Sequence, residues 1–142
     1  MAAKENTIGW LSRQTNTKVQ TIRYYEQIDL MPEVPRSEGN RRLYTDGHVG
    51  RLAFIRHSRQ LGFSLDQIRE LLNLSDDPGR PCHEVDAIAQ MHLEDVQNKI
   101  VRLKGYEKEL KRMVCECAGG HVSGCRIIEV LSDHSLCLEP GH

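Results

Sequence analysis

Five cysteines carry the chemistry of this chain, and their placement says more than their number. Cys82 stands alone. Cys115, Cys117 and Cys125 cluster downstream with His121, and Cys137 lies near the C-terminus. Thiolates and imidazoles bind soft or borderline ions: Zn(II), Cd(II), Hg(II) and Pb(II), with Cu(I) as the monovalent case. The run Cys117-x3-His121-x3-Cys125 places two thiols and an imidazole in a glycine-rich loop that can fold around one ion. If a helix persists to Cys115, side chains at i and i+2 diverge, so Cys115 and Cys117 do not readily share that ion. Cys137 has no ligand-spaced neighbour and reads equally well as a small buried hydrophobe.

The elements between these residues decide what the thiols can do together. From about 84 to 114 runs one long helical pattern. Ala89, Leu93, Val96, Ile100, Leu103, Leu110 and Val114 recur at 4-3-4-3 spacing, interrupted where Glu107 falls, which is the seam of a coiled coil. At about 1.5 Å per residue such a helix holds Cys82 and Cys117 on the order of 50 Å apart. One ion cannot take both from one chain. It can if a second copy runs antiparallel and brings its Cys82 to this chain's loop. The pattern therefore predicts a metal and a homodimer together. Gly119-Gly120 end the helix, and residues 126–132 (RIIEVLS) form a short apolar helix after Cys125.

The front of the chain has a different character. Thr7 caps a pattern over 7–14, TNTK (15–18) is a polar turn, and 19–27 resumes helical spacing with Val19 and Ile22. Helix, short turn, helix reads as a helix-turn-helix. Two prolines and Gly39-Asn40 then precede Arg41-Arg42-Leu43-Tyr44, which suggests a small basic β-hairpin, a wing. Asp46 caps a helix to about Gln60, and Ser64 with Gln67 forms a capping box that opens SLDQIRELLNLS. Residues 75–81 (SDDPGRP) are a linker.

Charge follows the same division. Residues 1–60 hold ten Lys/Arg against six Asp/Glu, and residues 61–142 hold nine against fourteen, within an overall net charge of −1. A basic front half is suited to a polyanion. With 39% hydrophobic and 27% charged residues, the composition is that of a globular protein. No apolar run approaches membrane-spanning length, and the start (MAAKENTIGW) lacks the apolar centre of a signal peptide. The expected location is the cytoplasm, where an odd set of five cysteines is ligating or reactive rather than disulfide-bonded.

TIRYYE (21–26), the Arg36-x-x-Gly39-Asn40-Arg41-Arg42-Leu43-Tyr44 stretch and LGFSLDQI (61–68) resemble the DNA-binding domain of MerR-family regulators, and the resemblance continues to about residue 137. It implies a mainly α fold: a winged helix-turn-helix over 1–74, a hinge over 75–83, an antiparallel dimerisation helix over 84–114, and a metal-binding loop, short helix and tail over 115–142. The residues expected on DNA are Lys18, Gln20, Thr21, Arg23 and Tyr24 from the recognition helix, and Arg36, Arg41, Arg42 and Tyr44 from the wing. Arg56 is a weaker candidate. A structural ion pair is an equal alternative for one of the two adjacent arginines.

Within the resemblance, Cys82, Cys117 and Cys125 fall on the ligand positions of the metal-sensing members. His121 falls where the zinc-sensing branch carries a histidine ligand, and Cys115 echoes an auxiliary cysteine of the mercury-sensing branch. A third thiol favours three- or four-coordinate divalent ions over Cu(I), and the mercury branch, also with three thiols, has a loop longer by one residue, so the order is Zn(II), Cd(II) or Pb(II), then Hg(II), then Cu(I). Glu116 stands where the zinc branch has the first of two adjacent cysteines, which argues against a two-zinc site. The family implies an activator on palindromic promoter DNA: the metal repositions the DNA-binding domains, and the DNA is bent and untwisted for RNA polymerase. Two other readings compete. One is a thiol-redox regulator of the same fold. The other is an enzyme such as a zinc hydrolase, for which no acid/base constellation accompanies the thiols.

Overall fold

In a computed structural model the described residues are 6–32, 34–36, 38–39, 42–116 and 120–136. They form six α-helices: α1 (Ile8–Thr15), α2 (Val19–Gln27), α3 (Asp46–Gln60), α4 (Leu65–Ser75), α5 (His83–Glu116) and α6 (Arg126–Ser132). Two 3₁₀ turns, Val122–Gly124 and His134–Leu136, flank α6. The chain divides into two compact units, Met1–Val85 and Asp86–His142, so the division falls inside α5.

In the first unit, Thr7 starts α1 by accepting the Trp10 N–H at 3.1 Å. Asn16, at φ 48°, ends the helix. The turn into α2 is tied by the Ser12 hydroxyl, which donates to the Thr17 carbonyl at 2.6 Å. Leu11, Ile22, Leu52, Ile55 and Ile68 are fully buried and join α1, α2, α3 and α4 around one core, with Leu30, Met31, Tyr44 and Leu72 beside them. Three arginines donate from α3 and α4 onto carbonyls of the front segment. Arg51 Nε reaches Leu30, Arg69 Nη2 reaches Ile28 and Arg56 Nη1 reaches Thr15, at 3.0, 2.6 and 3.0 Å. Arg56 is thereby occupied in bracing the helix-turn-helix.

The capping box of α4 forms as the sequence leads one to expect. Ser64 Oγ accepts the Gln67 N–H at 3.1 Å, and the Ser64 N–H donates to Gln67 Oε1 at 2.8 Å. In α3 the cap is Thr45 rather than Asp46, which is the first helical residue. The Thr45 N–H donates to His48 Nδ1 at 2.9 Å, so a histidine fills the place that a Glu or Gln usually takes. The wing is slighter than a hairpin of two strands. Among the described residues it is one antiparallel bridge, Arg36 to Arg42, with the Leu43 N–H donating to Pro35 O at 2.8 Å.

The second unit is α5 from Asp86 onward with the turns and helix that follow it. Its buried residues include Met113 and Val130. Along α5, Leu93, Ile100, Leu103, Leu110 and Val114 are all exposed within the chain. Among the described residues, no helix is long and apolar enough to cross a membrane.

Candidate metal centre and DNA-reading face

The candidate recognition helix α2 presents a polar face. Lys18 is its N-cap, Gln20 and Arg23 are exposed, and Thr21 is half-buried. Tyr24 is 47% exposed, whereas Tyr25 packs on the core, with 6.1 Å between the two ring centroids. Facing α2, Met31, Pro32, Val34, Arg36 and Arg42 line a groove of about 820 Å³ to which Arg23 also contributes. Three guanidiniums along one groove form a surface suited to phosphates.

Glu26, near the end of α2, sets the geometry of that groove. Its Oε2 accepts from Arg42 Nη1 at 2.6 Å, and its Oε1 accepts from the Tyr44 hydroxyl, also at 2.6 Å. Arg42 is therefore the arginine that makes the structural ion pair, and it keeps 40% of its side chain exposed. Hydrogen bonding to Tyr44 and the charge of Glu26 both raise the Arg42 pKa. Tyr44 does not stand on the surface as the sequence reading has it. It is 2% exposed, a core residue whose ring lies edge-on to His48 with 5.5 Å between centroids. Both side chains reach the one Glu26 carboxylate, Arg42 from the groove and Tyr44 from the core. Arg41 lies outside the described residues. Glu26 is the residue that sequence reasoning missed, because nothing in the spacing shows that a carboxylate on the recognition helix holds the wing.

The candidate metal ligands lie at the two ends of α5. Cys82 is exposed in the turn just ahead of His83, where α5 begins. Arg80 and Glu84 make an ion pair across that turn, with Nη2 donating to Oε1 at 2.6 Å. At the other end, Cys115 is exposed on the last turn of α5. The helix continues past it to Glu116, and Cys117 lies outside the described residues. Beyond Gly120, which takes φ 95°, His121 precedes the first 3₁₀ turn and Cys125 closes it. The Gly124 N–H donates to His121 O at 3.0 Å and the Cys125 N–H to Val122 O at 3.1 Å, so His121 and Cys125 share one tight turn. Cys125 is half-buried and is the N-cap residue of α6, while His121 is exposed.

This donor set suits a thiophilic ion, with soft sulfur and borderline nitrogen and with Cys125 and His121 held on a short turn. Among the described residues, no three His, Cys, Asp or Glu side chains of one chain converge as a metal-holding group. With 34 residues, α5 spans about 51 Å between Cys82 and the loop.

Residues 7–75 match the family described as "MerR HTH family regulatory protein", and residues 49–113 match "MerR, DNA binding". The chain is 40% identical over 137 residues to the HTH-type transcriptional regulator ZntR of Escherichia coli strain K12, covering 94% of this chain and 97% of that protein. It is 42% identical to the transcription regulator PbrR691 from Ralstonia metallidurans CH34, solved in complex with lead(II). The TM-score is 0.77, with 87% of this chain and 97% of that one covered. It is 30% identical to MerR from Bacillus megaterium MB1, solved in complex with mercury(II), at a TM-score of 0.65 and with 86% and 95% covered. The chain belongs to the MerR family of DNA-binding transcriptional regulators.

Proposed function

We propose that this protein is a cytoplasmic, non-enzymatic, metal-responsive transcriptional activator of heavy-metal efflux or resistance genes, and that it senses Zn(II), Cd(II) or Pb(II). The observation that carries the reading is the division of the thiols between the two ends of α5: Cys82 ahead of its first residue, Cys115 in its last turn, and Cys125 beyond. An apolar stripe runs between them along α5. The similarity to ZntR and to the lead-bound PbrR691 supports the choice of metals.

In this reading residues 1–74 bind DNA, 75–83 are a hinge, 84–114 pair two copies antiparallel, and 115–142 hold the ion. Each of two equivalent sites takes Cys82 from one copy and Cys117 and Cys125 from the other, with His121 and Cys115 as further donors. Cys82 of one copy and Cys117 and Cys125 of the other would hold the ion, which would supply the positive charge that the thiolates of two chains balance. The chain's own residues do the rest. The α2 face reads the half-sites of a palindromic promoter, the wing arginines grip phosphates, and α5 fixes the separation of the two DNA-binding units. Metal binding and DNA deformation are coupled through two states of one dimer, and RNA polymerase engages the deformed promoter.

The test is anaerobic titration of the full-length protein with Zn(II), Cd(II), Pb(II), Hg(II) and Cu(I), with Cys82→Ser as control, alongside promoter-reporter induction by the same ions. The expected result is tight binding of a divalent ion that Cys82→Ser abolishes. If none binds, or if Cys82→Ser binds as the wild type does, the intersubunit reading fails. A second reading, Hg(II) sensing, is favoured by the exposed thiol of Cys115 and by the 38% identity to the mercuric resistance operon regulatory protein of Serratia marcescens. Strongest induction by Hg(II), and its loss in Cys115→Ser, would select it.

A further inference from the structure

The two flanks of the metal loop are joined by a carboxylate with a guanidinium on each side. Glu116 is the last residue of α5 and Arg126 is the first of α6, so the loop that carries Cys117, His121 and Cys125 lies between them. Arg126 Nε donates to Glu116 Oε2 at 3.0 Å, and Arg126 Nη1 donates to Glu129 Oε2 at 3.2 Å. On the other side, Arg112 Nη1 lies 3.6 Å from Glu116 Oε1. Arg112 is itself anchored, with Nη2 at 2.5 Å from Glu109 Oε1 and 2.6 Å from the Leu136 carbonyl in the second 3₁₀ turn. Glu109 is 5% exposed, so the foundation of this network is buried.

We propose that Glu116, held between Arg112 and Arg126, is a positioning residue for the metal loop: it closes the base of the loop before an ion arrives and stays outside the ion's coordination sphere. This inference rests on the metal-loop reading above. Three physical arguments carry it. Both oxygens of the carboxylate already face cations, and turning one to a metal would leave a guanidinium uncompensated beside a new positive charge. Three carboxylates against two guanidiniums leave the network net negative, so it does not repel an incoming cation. An isolated exposed ion pair contributes little, but this one joins α5 to α6 across the base of the loop, and so it removes closure entropy that the ion would have to overcome.

The experiment is competitive Cd(II) titration of the full-length protein under anaerobic conditions, for wild type, Glu116→Gln, Arg126→Gln and the double variant. Hydrogen exchange of the α6 amides is measured on the same proteins without metal. Each single variant should lose about tenfold to hundredfold in Cd(II) affinity, the range for residues that orient ligands without binding metal. The double variant should lose no more than either single, because the two act as one pair. Exchange in α6 should quicken in both singles, and metal-free operator binding should stay as in the wild type. Arg126→Gln removes the same pair, so a Glu116→Gln protein that failed to fold would still leave one variant that must show the loss. Wild-type affinity in Arg126→Gln, or losses that add in the double variant, would overturn the proposal. If the wild type bound no Cd(II), the metal reading would fall; unchanged α6 exchange in the variants would then overturn the clamp on its own.

Discussion

At the scale of single residues, the polar side chains that shape the candidate DNA-reading face work through neighbours. Glu26 touches both a surface arginine and a buried tyrosine, and the tyrosine in turn packs against His48. Burial pushes the His48 imidazole below its ordinary value of 6.5, opposed by the charge of Glu26. The Nδ1 lone pair is already engaged by the Thr45 N–H. The unfolded chain therefore takes up a proton near pH 6.5 that the folded domain resists. The stability due to neutral His48 is fully present above pH 6.5 and is lost as pH falls from there through the lowered folded value. Urea melts between about pH 8 and pH 5 should show a steeper loss in the wild type than in His48→Gln; parallel profiles would contradict this. The sequence made the recognition-helix candidates legible because a polar face on an amphipathic helix follows from periodicity. It placed Tyr44 on the wrong side because a short Pro- and Gly-containing segment has no period long enough to say which residue turns inward.

At the scale of elements, what could be read depended on length. The capping box at Ser64 and the course of α5 were both visible, since caps have fixed offsets and a heptad pattern over about four repeats leaves little choice of face. The wing was the weakest element, because one bridge supplies too few bonds to define strands. Ties made through space, such as Glu116 to Arg126, follow no spacing rule, although Glu109–Arg112 and Arg112–Glu116 are ordinary i, i+3 and i, i+4 partners along α5. The apolar stripe of α5 bears on assembly. Leu103 is 60% exposed within the chain and lies in the middle of the seam. Leu103→Glu should therefore shift the protein from dimer to monomer in analytical ultracentrifugation at micromolar concentration. The melting of the first unit, whose core is Leu11, Ile22, Leu52, Ile55 and Ile68, should stay close to wild type. A Leu103→Glu protein that remained dimeric would place the pairing surface elsewhere.

At the scale of the whole molecule, the placement of thiols at opposite ends of α5 has a genetic consequence. Homodimers of Cys82→Ser lack one donor at both proposed sites, and homodimers of Cys125→Ser lack a different donor at both. A mixed dimer concentrates the two lesions. One site loses Cys82 and Cys125 together, and the other, built from the unaltered Cys82 of one subunit and the unaltered Cys125 of its partner, keeps its full donor set. Two alleles that are each silent alone should complement when co-expressed. Purified heterodimer should take up Cd(II) at half the wild-type stoichiometry, whereas either homodimer takes up none tightly. With donors held too far apart on one helix to meet, the proposed sites make sensing a property of the pair, inherited from two copies of the gene product at once.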